Sequence, residues 1–261
     1  MQVSPDKSQE APRPMAYRYT FTGVVHPERA VVNVSTITWR LDPPAVPIVG
    51  KLTVTIAVSQ VTAVFEAENE VSDLNTLKNY VADAVRVEVD TLGYLNGCGY
   101  EVEIVQLIPA EATTPLVFGV GIPALGSDSS ELPSRFLEIM QVFQDPRGSY
   151  LQRCFADLRE AIRSPKDTGF FCYRGIEALR QFFVLESGAK GHKNSWDELR
   201  QALGVERATI DYVKDFADPV RHGAAKPIAD HERAEVFRKT WAVVARFIEF
   251  AKRGYKTVGD A

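Results

Sequence analysis

The residues best suited to chemistry gather in one segment, Phe216 to Pro227, where Arg221 and His222 directly precede Gly223. An imidazole has an ordinary pKa of about 6.5, close to neutral pH, so it can both take and give a proton. An arginine beside it can stabilise an anion such as a phosphate. Glycine tolerates positive φ, so the triplet fits a junction between two helices, where a ring nitrogen faces solvent. Lys214 and Asp215 precede the segment, with seven residues between Lys214 and His222. The same residues also have structural uses: Arg221 can pair with Asp215 or Asp218, and His222 can cap the helix before it.

Other polar residues read as structural. Glu177 has Arg174 and Arg180 three residues to either side, a spacing that predicts ion pairs along one helix turn. Cys172 stands among Phe170, Phe171 and Tyr173, which predicts a buried, inert thiol. His231 is expected on the surface, and His26 and His192 in loops without acidic or cysteine companions, so no metal site is expected. The close glycine pairs Gly97/Gly99 and Gly119/Gly121 lack the strand-to-helix setting of a phosphate cradle, and no cofactor is expected.

Two kinds of element must position these residues. From Tyr17 the chain alternates in strand fashion, Tyr17, Tyr19 and Phe21 against Arg18, Thr20 and Thr22. His26 to Arg29 reads as a turn, and a β-branched run follows from Val31 to Trp39. Leu52, Val54, Ile56 and Val58 continue the alternation, and the apolar phase slips by one at Val61, Ala63 and Phe65, which predicts a bulge or tight turn near Gln60. Ser72 or Asp73 can cap a helix through Leu74, Leu77, Val81, Val85 and Leu92, and a last strand spans Tyr100 to Leu107. The spacing then turns helical. Tyr150 to Ile162 forms one helix, stopped at Ser164-Pro165, and a second opens at Asp167-Thr168, which can cap it. Shorter helices run through Trp196 to Leu203 and from Glu206 to Phe216, a loop spans Pro219 to Pro227, and a long helix carries Phe237, Trp241, Val244 and Ile248.

The expected fold is α+β: a small antiparallel sheet with one covering helix over residues 16–108, and an all-α bundle of about five helices over 135–256. Residues 1–15 are expected to be disordered, and residues 109–134, rich in proline, glycine and serine, to be a linker. A length of 261 residues with 45% hydrophobic and 25% charged residues suits two globular domains. Three cysteines without a close pair fit a reducing compartment, and the polar N-terminus has no apolar signal core. No run approaches the roughly 18 apolar residues of a membrane span, so a cytoplasmic protein without membrane association is expected. Up to Tyr150 the chain has 10 basic and 18 acidic residues, and after it 20 and 16, so only the C-terminal half suits contact with a polyanion.

The Arg221-His222-Gly223 triplet ahead of a long last helix resembles the HEPN family, as does the amphipathic run Tyr173 to Arg180. RNA-cleaving members of that family carry an arginine, four to six intervening residues and a histidine, often followed by glycine. The resemblance covers roughly residues 145–253 and departs from the family at one point: positions 215, 216 and 217 are Asp215, Phe216 and Ala217, none of them basic. Lys214-Asp215 is the nearest counterpart of the family's Arg-polar start. The resemblance implies RNA binding or metal-independent RNA cleavage, with His222, Arg221, Lys214 and Asp215 as site residues and a homodimer that completes a composite site. It also suggests a prokaryotic toxin or antiviral setting, with the N-terminal domain sensing a ligand or protein partner. The alternative is a catalytically inactive dimerisation and protein-interaction module.

Overall fold

The computed structural model describes residues 17–44, 46–110, 114–119, 121–126, 130–186, 192–224 and 228–257. The expected disordered segment, residues 1–15, lies outside them. The fold is α+β, with an antiparallel sheet in the N-terminal half and a helical bundle in the C-terminal half. The chain divides into two compact units, Met1–Gly119 and Val120–Ala261.

In the first unit, β1 (Tyr17–His26), β2 (Val34–Leu41), β3 (Gly50–Ala57), β4 (Gln60–Ala67), β5 (Glu101–Pro109) and β6 (Leu116–Val117) form one sheet in the order β2-β3-β4-β1-β5-β6. Every neighbouring pair is antiparallel. The phase slip near Gln60 is a tight hairpin turn, with Val58 and Ser59 both at positive φ and Ala57 opposite Gln60. One helix, α1 (Leu74–Asn96), connects β4 to β5. Asp73 caps it, its carboxylate accepting from the Thr76 backbone N–H at 2.9 Å, and Gly97 ends it in the left-handed region. Leu77, Val81, Val85 and Val89 of α1 are fully buried in a core with Phe21, Leu52, Phe65 and Leu107.

Part of the stretch expected as linker, 109–134, is structured. Leu116 and Val117 pair with Leu107 and Gln106, and the Phe118 ring lies parallel to that of Phe21 at 6.3 Å. Proline and glycine in this stretch mask an apolar trio that continues the sheet. Pro123–Leu125 forms a 3-10 turn, and α2 (Leu132–Val142) begins inside the expected linker, with a proline in its first turn where none of its N–H groups is needed by the helix.

The second unit continues with α3 (Ser149–Arg163), α4 (Thr168–Leu185), α5 (His192–Leu203), α6 (Arg207–Arg221) and α7 (Asp230–Lys252). The central α4 packs against α3, α5, α6 and α7. Its apolar residues are therefore buried around most of its girth, Cys172, Ile176, Leu179 and Phe183 among them. Asp167 does not cap α4 through its side chain, because its carboxylate accepts from the Ser164 hydroxyl at 2.7 Å instead.

Candidate active site at the end of α6

The expected Pro219–Pro227 loop begins three residues later than its first proline suggests. Pro219, Val220 and Arg221 form the last turn of α6. Proline lacks the N–H that would bond Asp215, and the helix is closed instead from beyond it. The Gly223 N–H donates to the Val220 carbonyl at 3.0 Å and the Ala224 N–H to the Pro219 carbonyl at 2.9 Å, with Gly223 at φ +81°. This is the helix-ending arrangement that needs a residue free to take positive φ, so Gly223 has a backbone reason to follow His222. The His222 N–H bonds the Asp218 and Pro219 carbonyls at 3.2 Å each. The backbone of His222 is thus pinned, and its side chain is exposed.

Lys214, Asp218 and Arg221 share one face of α6, since seven helical residues bring a side chain back to within about 20°. The Lys214 ammonium lies 3.7 Å from the Asp218 carboxylate, and the Arg221 guanidinium 3.9 Å from that of Glu177 on α4. Arg221 thus reaches across to Glu177 on α4, while Asp218 faces Lys214 on its own helix. Both ion pairs are long and about half exposed on the cationic side, so each is weak and each cation stays available to an incoming anion. Asp215, one residue on from Lys214, is exposed and projects about 100° round the helix from it. The helix thus gathers Lys214 and Arg221 on one face that ends at His222, and leaves Asp215 off it.

Across from that face, the charged residues of α4 find their partners on other helices. The predicted ion pairs of Glu177 with Arg174 and Arg180 do not form. Arg174 turns to α3, where its Nε donates to the buried Asp157 carboxylate at 2.7 Å. Glu177 turns to α6. Arg180 is 8% exposed, with its guanidinium carbon 5.0 Å from the centre of the Trp196 ring on α5. The other side of this cluster is Tyr173, its ring stacked with Trp196 at 5.8 Å. Burial, with the carboxylates of Glu177 and Asp218, pushes the Tyr173 phenol up to about 12, so it stays protonated and can donate a hydrogen bond at neutral pH. Polar residues at core-facing positions of an otherwise apolar helix were the available signal: Tyr173 and Arg180 are seven apart, on the face of Ile176.

The remaining candidates lie elsewhere. His231 is exposed in the first turn of α7, and His26, at the end of β1, does have an acidic companion, Glu103 at 3.4 Å. The side chain of His192 lies outside the described residues. Among the described residues no three His, Cys, Asp or Glu side chains gather as a metal site would require. Cys172 and Cys154 are buried, and burial pushes the Cys172 thiol up to about 12 and that of Cys154 higher still.

Residues 19–118 match the N-terminal domain, and residues 136–252 the C-terminal domain, of the family described as Domain of unknown function (DUF8168). No curated protein and no solved structure matches the chain.

Proposed function

We propose that this chain, which belongs to the DUF8168 family through both of its domains, binds RNA with a HEPN-like helical domain and cleaves it at His222. The observation that carries the reading is an exposed imidazole on a pinned backbone, at the end of a helix face bearing Lys214 and Arg221. In the cleavage step His222 takes the proton from a ribose 2′-hydroxyl, the freed oxygen attacks the adjacent phosphorus, and the bond to the 5′-oxygen breaks. The products are a cyclic phosphate and a 5′-hydroxyl. A second imidazole, that of another copy in a homodimer, supplies the proton to the leaving oxygen. Arg221 and Lys214 offset the charge that grows on the phosphate oxygens. The exposed sides of their ion pairs support this role. The N-terminal domain senses a ligand or protein partner, and the protein acts in the cytoplasm, in a toxin or antiviral setting of the kind the HEPN resemblance suggests.

The test is RNA cleavage by the purified protein without added metal. His222→Ala should lower the rate by at least about 100-fold, the lower end for a lost acid-base group, and leave melting near wild type because the ring is exposed. Unchanged cleavage in that variant refutes the assignment.

A second reading, a non-catalytic dimerisation and interaction module, has its own observation. Helix α2 exposes Leu132, Phe136, Leu137 and Met140, and a largely apolar recess of about 530 Å³ opens between α2, α3 and α7, lined by Phe155, Trp241 and Ile248 together with Arg135, Arg159 and Arg163. Wild-type protein that cleaves no RNA, together with loss of self-association in Phe136→Glu, would favour this reading.

A further inference from the structure

The Arg180 side chain is buried with most of its hydrogen-bonding capacity unused. Among the described residues nothing accepts from its Nε or Nη1. The nearest acid along its own helix, Glu177, faces Arg221 on α6 instead. Stacking on Trp196 satisfies the face of the guanidinium and leaves Nε and Nη1 on its edge without a partner among the described residues. A buried cation in that condition is costly, since each unpaired donor forfeits a hydrogen bond to water without replacement. An anion that reached the edge would recover those bonds in surroundings where charge-assisted hydrogen bonds are strong.

The level of Arg180 in the bundle says where such an anion would sit. Gly169 of α4 lies directly against Phe216 of α6, and Glu177 of α4 reaches Arg221 of α6, so the two helices run in the same sense. Arg180 is three residues beyond Glu177, about 4.5 Å further along α4. Counted from these two contacts, the Cα of Arg180 lies about 3–7.5 Å beyond that of His222 along the common direction, and because helical side chains lean toward the helix N-terminus its guanidinium reaches back toward the end of α6. Tyr173, whose hydroxyl stays protonated, is the link to that end: its charged neighbours are Glu177, Asp218, Arg180 and Arg221.

We infer that Arg180 receives a phosphate group at the end of α6, supplying from α4 the planar fork that Lys214 lacks. On the reading above, which this inference rests on for the source of the phosphate, that group belongs to the RNA backbone next to the bond cleaved. A free phosphate or nucleotide offers the same chemistry, and the experiment separates the two.

The experiment uses the full chain with arginine Nε labelled for NMR, titrated first with inorganic phosphate and then with a single-stranded RNA oligonucleotide. Phosphate should shift the Arg180 Nε–H resonance saturably. RNA should shift it too, and Arg180→Gln should weaken RNA binding at least 10-fold and flatten its dependence on the logarithm of salt concentration by about 0.7. Arg180→Lys should recover part of the affinity, as charge without the fork does. A saturable phosphate shift without RNA binding would keep the phosphate site and refute the RNA reading. RNA bound by Arg180→Gln with wild-type affinity and salt dependence, and an Arg180 resonance that phosphate does not move, would overturn the inference and leave the RNA reading standing. The labelled wild-type protein answers the question even where the glutamine variant folds poorly.

Discussion

Gly169 sets how closely α4 can approach α6, and replacing it by alanine tests the packing that holds the site together. A Cβ at this position would lie 2.5 Å from the Phe216 Cβ, and 2.8 and 2.9 Å from its backbone carbonyl carbon and oxygen. Carbon atoms pack at about 3.5–4.0 Å, so the helices must separate by roughly 1 Å, and no rotamer change relieves a clash with backbone. Alanine gains up to about 1 kcal/mol of helix propensity over glycine, and overpacking of this kind costs about 1–3 kcal/mol, so the clash wins when it exceeds the propensity gain. The backbone identity of two of the three contacts argues for the upper end, a net loss of about 2 kcal/mol. At about 4 °C per kcal/mol for a unit of this size, the helical transition should fall by roughly 8 °C. Gly175 is the control on the same helix. A Cβ there meets the Cys154 Sγ at 3.3 Å and the Leu158 Cδ2 at 3.5 Å, side-chain atoms that can give by tenths of an ångström, so Gly175→Ala should be neutral or stabilising. Thermal melting of both variants, followed by far-ultraviolet circular dichroism, makes the comparison. Gly169→Ala melting at or above wild type would refute the reasoning, and so would equal losses in the two variants.

Two further predictions concern buried ionisable groups. Glu88 accepts a 2.7 Å bond from the Trp39 indole through Oε1, while its buried Oε2 has no partner, and burial raises its pKa. The folded state therefore holds this proton to higher pH than the unfolded state does, and Glu88 lowers stability as pH rises above about 4, the ordinary value for glutamate. Glu88→Gln should stabilise the first unit by ~1 kcal/mol at pH 7, and the gain should disappear below pH 4; an equal gain at both values, read from tryptophan fluorescence during denaturation, would contradict this. Of the three cysteines, only Cys98 is exposed. A thiol reagent at pH 8 should modify one cysteine per native chain within minutes and all three after denaturation, and rapid modification of a second native thiol would show that α3 and α4 do not bury Cys154 and Cys172.

The elements were legible where one physical rule governed them. Alternation over Leu52 to Val58, followed by the one-residue slip, marks two strands and a turn, because a face swap without a turn would bury Thr62 and expose Val61, and Val61 is buried. Asp73 reads as a cap because a short acid before an apolar helical run has few better uses. Reading failed where two rules compete. Pro219 argues for ending α6, yet Gly223 and the carbonyls of Pro219 and Val220 allow a closure four residues further on, and the tertiary fit of Phe216 and Ala217 against α4 keeps the helix in place up to that point. Leu116 to Phe118 were hidden by their flanking prolines and glycines, since an edge strand of two residues leaves almost no periodicity to detect.

The site divides along the same line. Arg221 and His222 were visible from local sequence because residue type, a following glycine and a helix end coincide at one place. Arg180 was invisible as a site residue because its spacing from Glu177 has a complete local explanation, an ion pair on a helix turn. Such a pair at an exposed site is worth only about 0.3–0.5 kcal/mol, less than a side chain gains from a ring to stack on or from a carboxylate on another helix. Packing therefore decides, turning Glu177 to Arg221, Arg174 to Asp157 and Arg180 to Trp196. Local charge spacing on α4 thus misleads because all three partners come from other helices, and a side chain left with spare donors after that contest is the one to question for a ligand.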